Sequence, residues 1–267
     1  MKLVTALKKE GTYAYRDVKK SDGTNVSLED WAARLKKNFE RCYYVPLSPD
    51  EDTKYDVNPK VLNRRGMYKD LYKSGKEYED YQLRANFPIA MTVAPELFDP
   101  EHAMNALCLA DSTIRGPTGM ATLDPSDNNY RPYYRNSEDS EDFATSKGRN
   151  YHQGPEWLWP TGFFLRALLK FDLMRRTTQE GREEAFQQVT TRLAGCKKMI
   201  EESPWAGLTE LTQKNGEYCD DSVSIHDYLY EILLTNTVLQ SPTQAWSAGC
   251  LIDLYMDAQF ERDSEKK

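Results

Sequence analysis

The chain predicts an all-α fold of paired helices, and three observations predict it. Apolar residues recur at three- and four-residue spacing in several stretches, helix-start residues stand in front of them, and no stretch alternates as a strand ladder would. Helices joined by long polar connections point to an α/α architecture, in which antiparallel hairpins surround a core and one rim carries the loops.

Taken in order, Ser27-Leu28-Glu29-Asp30 has the spacing of a capping box, and Trp31, Leu35 and Phe39 carry one apolar face through Cys42. Residues 46–65 are rich in Pro, Asp, Asn and charge, so they predict an exposed connection. The polar stretch Asp80-Tyr81-Gln82-Leu83-Arg84-Ala85-Asn86-Phe87-Pro88 opens an apolar helix through Ile89, Ala90, Met91, Val93 and Ala94. Pro100 starts the next helix, which buries Ala103, Met104, Ala106, Leu107 and Ala110 and stops before Gly116-Pro117 and Gly119.

Residues 124–150 then hold almost no aliphatic side chain. A loop that long in a compact domain is usually functional or disordered, and its tyrosines, with the motif it delivers, favour function. Three further helices are expected, over about 161–174, about 180–202 and around Gln244 to Asp257.

A net charge of -7 and a pI near 5.2 argue against a nucleic-acid partner, because a phosphate backbone is held by clustered Lys and Arg. No apolar run approaches the roughly 20 residues that span a bilayer. Met1-Lys2-Leu3-Val4 leads into Lys8 and Lys9 without a signal-peptide core, so a cytosolic protein without membrane partners is expected. Five cysteines (Cys42, Cys108, Cys196, Cys219 and Cys250) lie apart without a CxxC pair, and read as reduced and structural. His102, His152 and His226 are too scattered for a metal site, no cofactor is called for, and Cys219 with His226 makes only a weak case for a nucleophilic dyad.

The densest concentration of chemistry is Tyr151-His152-Gln153-Gly154-Pro155-Glu156-Trp157-Leu158-Trp159-Pro160. A Trp-x-Trp pair alone is more often a core anchor than a ligand platform. Here it stands with an imidazole, a carboxylate and an amide at the mouth of an apolar helix bearing Phe163, Phe164, Leu165, Leu168, Leu169 and Phe171. Such a mixture suits a sugar: an aromatic face covers the C–H side of a pyranose ring, amide and carboxylate groups bind its hydroxyls, and Gly-Pro bends the backbone so that they converge.

Five segments in order carry a family resemblance: Asn63 to Asp70, Asp80 to Phe87, Tyr151 to Pro160, Trp205 to Thr212, and Thr243-Gln244-Ala245-Trp246-Ser247. Together they resemble the C-terminal glucosidase region of the eukaryotic glycogen debranching enzymes, over nearly the whole chain. The resemblance implies an (α/α)6 toroid, with residues 1–267 forming the C-terminal part of one six-hairpin glucosidase domain. It also implies amylo-α-1,6-glucosidase activity, which removes the single glucose left at a branch point after the 4-α-glucanotransferase half of the enzyme has moved the outer chain. The expected partners are glycogen or a branched α-glucan and the upstream part of the same enzyme. Trehalase- or glucoamylase-like specificity on the same toroid fits these motifs less well.

The family inverts configuration, for which a carboxylic acid protonates the leaving oxygen while a carboxylate roughly 6.5–9.5 Å away activates water. By similarity Glu210 takes the general-base position, and Glu217, beyond a Lys-Asn-Gly turn, is the weaker candidate. The family's acid belongs to an Asp-bearing motif upstream of the matched region, so the alternative is a catalytically inactive glucan-binding fragment. Asp124, Asp127 and Glu156 are the substitutes this chain could offer.

The resemblance also assigns Arg84 and Asn86 to sugar hydroxyls or to orienting the base, with Asp80 holding Arg84. It assigns Tyr151, His152, Gln153 and Glu156 to sugar contacts, Trp157 and Trp159 to an aromatic wall, and Gln244 and Trp246 to the far side of the pocket. Two departures stand out. Ala85 replaces a proline, and 223–240 reads as an insertion with Ile225, Tyr228, Leu229, Ile232 and Leu233 at helical spacing.

Overall fold

A computed structural model describes residues 17–135, 137–203, 205–219 and 243–264; the segment 223–240, read above as an insertion, and His226 lie outside them. After a short hairpin, β1 (Asp17–Lys19) with β2 (Asn25–Ser27), comes α1 (Leu28–Tyr43). Its cap forms as the spacing predicts, with Ser27 Oγ accepting the Asp30 amide at 3.0 Å. The apolar face is only partly covered among the described residues. Leu28 and Cys42 at its ends are buried and Phe39 packs on the core, whereas Trp31 and Leu35 are exposed and line an open groove with Val18, Val26 and Tyr72.

The connection over 46–65 is partly exposed, as expected, but tied down at both ends. β3 (Tyr44–Val45) pairs with β4 (Met67–Tyr68), and Arg65 forks onto Asp52 at 2.8 and 2.9 Å. Next come the single-turn α2 (Glu77–Asp80), α3 (Phe87–Val93) and α4 (Pro100–Thr113). The Asp99 carboxylate caps α4 through the Glu101 and His102 amides, and Pro100 occupies the first turn, where its missing N–H is not needed. The buried face of α4 is the one its spacing predicts.

At the centre lies α5 (Trp159–Arg175), in contact with α3, α4, α6 (Gln179–Arg192) and α8 (Ala245–Ser264). Apolar residues surround it on nearly all sides, as befits a helix enclosed by others. Its closest approach is to α8: a Cβ placed on Gly162 would stand 2.6 Å from the Cys250 carbonyl carbon and 2.7 Å from its Cβ. Arg166 ties the same pair to Asp257 at 2.8 Å and Asp253 at 3.3 Å. The helix expected over 180–202 is two, α6 and α7 (Ala194–Glu202), which separate at Leu193.

The fold is therefore of the all-α helical-hairpin kind, with one correction. Strands were not expected, yet the described residues contain seven, of two or three residues each. Three of them, β5 (Met120–Ala121), β6 (Glu156–Trp157) and β7 (Leu211–Thr212), form an antiparallel sheet with β6 in the middle. A two-residue strand has no period to detect, and its pairing depends on partners far off in sequence. No described helix is long and apolar enough to cross a membrane.

Candidate active site

The small sheet sorts the central motif by alternation, because successive side chains of a strand point to opposite faces. Trp157 faces Tyr134, Leu211 and Cys219 and is buried with them, its Nε1 donating to the Tyr151 carbonyl at 3.0 Å. The His152 ring stacks on Trp157 at 4.9 Å and 23°, and the Tyr151 ring meets the same indole edge-on at 4.6 Å. Gly154 makes the bend between these rings and β6: its φ is +148°, and a Cβ there would lie 2.8 Å from the Arg131 carbonyl carbon.

Glu210 sits at the edge of this cluster, immediately before β7. The Tyr151 hydroxyl donates to Glu210 Oε1 at 2.7 Å, and the Glu210 carbonyl accepts the Leu158 amide at 3.2 Å. Burial, and then the Glu210 carboxylate itself, push the Tyr151 phenol far up, so it remains a donor at any physiological pH. Among the described residues nothing is bonded to Oε2. The His152 imidazole is held below its ordinary value, first by partial desolvation and then by Arg84, which favours its neutral form.

Arg84 organises the other side. Its guanidinium donates to Gln82 Oε1 at 3.0 and 2.8 Å, to the carbonyls of Thr122 and His152 at 3.1 and 2.9 Å, and to Gln153 Oε1 at 3.0 Å. The expected hold on Arg84 by Asp80 is not made. Asp80 is buried behind α2, where its carboxylate accepts the Ser74 amide at 3.1 Å. Asp70 is the carboxylate beside Arg84, at 3.8 Å, and it also accepts from Asn86 Nδ2 at 2.8 Å. Burial raises the Asp70 carboxyl, and Asn86 and Arg84 pull it back only in part.

Glu156 turns the other way from Trp157, and the pleat explains it. Facing away from Trp157, its carboxylate accepts the amides of Asn215 at 2.8 Å and Gly216 at 3.0 Å, both residues having positive φ. It therefore clamps the turn after β7 and is not turned toward the Trp157 side, where Tyr151, His152 and Leu211 lie. Burial pushes its carboxyl up to about 7 despite those two donors. Because this folded value lies above the ordinary 4.5, the stabilising contribution is whole below about pH 4.5 and is lost as pH rises toward 7. Denaturant unfolding across that window should show the decline in the wild type and not in Glu156→Gln.

The other carboxylates singled out in the sequence are each already engaged or exposed. Asp124 is ion-paired with Arg64 and bonded to Ser126; burial alone would raise its carboxyl, but these bonds together hold it low and ionised. Asp127 Oδ2 accepts from Gln82 Nε2 at 3.0 Å, and Glu217 is exposed. Cys219 is buried beneath Trp157. No described group of three or more His, Cys, Asp and Glu residues could hold a metal ion.

The two tryptophans expected to form a wall do different work. Trp157 is interior and supports His152, while Trp159 stacks on Trp246 at 4.3 Å and 9°, leaving Trp246 half exposed. Gln244 joins this pair to the Glu210 loop: its backbone amide donates to the Leu208 carbonyl at 2.7 Å, and Ser247 Oγ donates to the Thr209 carbonyl at 3.1 Å. Tyr151, His152, Gln153, Arg84, Asn86, Trp157 and Glu210 thus form one network, with Trp159, Gln244 and Trp246 attached to it. Sequence reasoning missed Asp70, Gln82 and Gln213, although the first two stand inside quoted motifs. Gln213 pins the long loop by bonding both the amide and the carbonyl of Tyr134, at 2.7 and 2.6 Å.

A helical-hairpin scaffold presenting an aromatic cluster, an arginine hub and a tyrosine-held carboxylate suits a protein of the carbohydrate-active class. The match settles which: the chain belongs to the amylo-alpha-1,6-glucosidase family, over residues 3–253, and corresponds to the C-terminal region of glycogen debranching enzymes. It is 53% identical over 273 aligned residues to the glycogen debranching enzyme of Saccharomyces cerevisiae. That alignment covers 99% of this chain and 17% of the yeast protein.

Proposed function

We propose that this chain is the glucosidase part of a debranching activity, hydrolysing single α-1,6-linked glucose stubs on glycogen limit dextrin with inversion. The observation that carries the reading is Glu210, held through one oxygen by Tyr151 and bonded to nothing described through the other, beside the His152–Trp157 stack. A water placed between Oε2 and the anomeric carbon would lose its proton to Glu210 as the glycosidic bond breaks. Arg84, Asn86, Gln153 and His152 supply fixed polar groups around the ring, and Trp246 with Trp159 supplies an apolar face. Asp80 and Glu156 support the cluster's surroundings without touching sugar.

The leaving oxygen needs a proton, and every described carboxylate considered for that task is ion-paired, bonded to backbone amides or exposed. By family resemblance alone, we assign the general acid to the upstream part of the longer enzyme. That same observation favours a second reading for the chain taken alone, as a glucan-binding fragment without turnover. Proton NMR of glucose freshly released from limit dextrin by the full-length enzyme tests the mechanism: β-glucose is expected first, and initial α-glucose would exclude inversion.

A further inference from the structure

Beside the Arg84 hub lies a separate polar pocket of about 530 Å³ that the reading above does not use. It falls within the roughly 300–1,000 Å³ of small-ligand pockets. Its walls come from the connection after β3, the start of the Asp80 motif and the long loop, with Tyr78, Asn63, Asn128 and Asn129 exposed around it. Its formal charges cancel, Lys60 and Arg64 against Asp124 and Asp127, with Arg64 already paired to Asp124. An anion or cation gains little there. The Asn128 and Asn129 side-chain amides are bonded to no described group, while Tyr78, Val61 and Leu62 give the wall apolar area.

A neutral, hydroxyl-rich ligand with an apolar face matches such a lining. Gln82 connects the pocket to the cluster: its Nε2 donates to Asp127 in the pocket, and its Oε1 accepts from Arg84. We propose that this pocket is a glucan subsite that takes the α-1,4-linked chain of the branched substrate whose stub is held near Glu210. The inference deepens the glucosidase reading and rests on it for the choice of sugar.

Maltotetraose titrated into the labelled chain tests it by NMR, read at the side-chain amides of Asn128 and Asn129. Saturable shifts are expected, with affinity weakened at least about fivefold by Tyr78→Ala or Asn128→Ala. Val93→Ala, exposed on α3 and outside the pocket lining, should change it by less than about twofold. Absent shifts, unchanged affinity in both pocket variants, or equal shifts with cellotetraose would overturn the proposal. Shifts that persist while the full-length enzyme releases no glucose would separate a correct pocket from a mistaken reaction.

Discussion

Arg84→Ala is expected to lower folding stability by about 3–5 kcal/mol and to abolish sugar binding at the Glu210 cluster. The guanidinium is mostly buried, with a relative side-chain exposure of 16%, and its removal strands Gln82, Gln153 and two carbonyls at once. Asp70 loses the one cation beside it among the described residues. Since burial already raises the Asp70 carboxyl, losing Arg84 raises it further, so the deficit should deepen as pH rises through that shifted value. Arg84→Lys restores charge without the planar fork and should recover less than half of the loss. Denaturant midpoints near pH 5 and pH 8 check both the size and the sign.

Gly162→Ala carries the second large effect, and here two opposing terms must be compared. Alanine in a helix interior is favoured over glycine by about 1 kcal/mol. Against it stands a methyl group forced onto the Cys250 backbone of α8, at 2.6 Å from the carbonyl carbon, where no side-chain rotation can relieve the contact. Overpacking of that kind costs typically 1–3 kcal/mol, and backbone against backbone belongs at the upper end, so a net loss of about 2 kcal/mol is expected. Because α8 begins with Ala245-Trp246, its displacement should also disturb the Trp159–Trp246 stack. Gly249→Ala, in the same helix with nothing within 4 Å of the added carbon, should instead be neutral or slightly stabilising.

These residues also show what could be read from sequence. The helices around Ser27, Pro100 and Phe163 were legible because caps and apolar spacing act locally, within one or two turns. Leu193 was not, since the break between α6 and α7 leaves the apolar spacing almost unchanged. Within the site, the Tyr151–Trp159 motif and Glu210 were legible as a group through residue chemistry and resemblance. Their division of labour was not. Glu156 and Trp157 part company through a two-residue strand, and Asp70 replaces Asp80 beside Arg84 because Asp80 turns back onto Ser74 to close α2. Both outcomes are decided by tertiary register, which neighbours in sequence do not encode.

The role of Glu210 is tested most directly by glucose release from phosphorylase limit dextrin, measured for the full-length enzyme carrying this chain and for its Glu210→Gln and Tyr151→Phe variants. The geometry predicts a fall in kcat of about 10²–10⁴-fold for Glu210→Gln with dextrin binding retained, and about tenfold for Tyr151→Phe, which loses a charge-assisted bond but keeps the carboxylate. Glucose release by Glu210→Gln at the wild-type rate would contradict it.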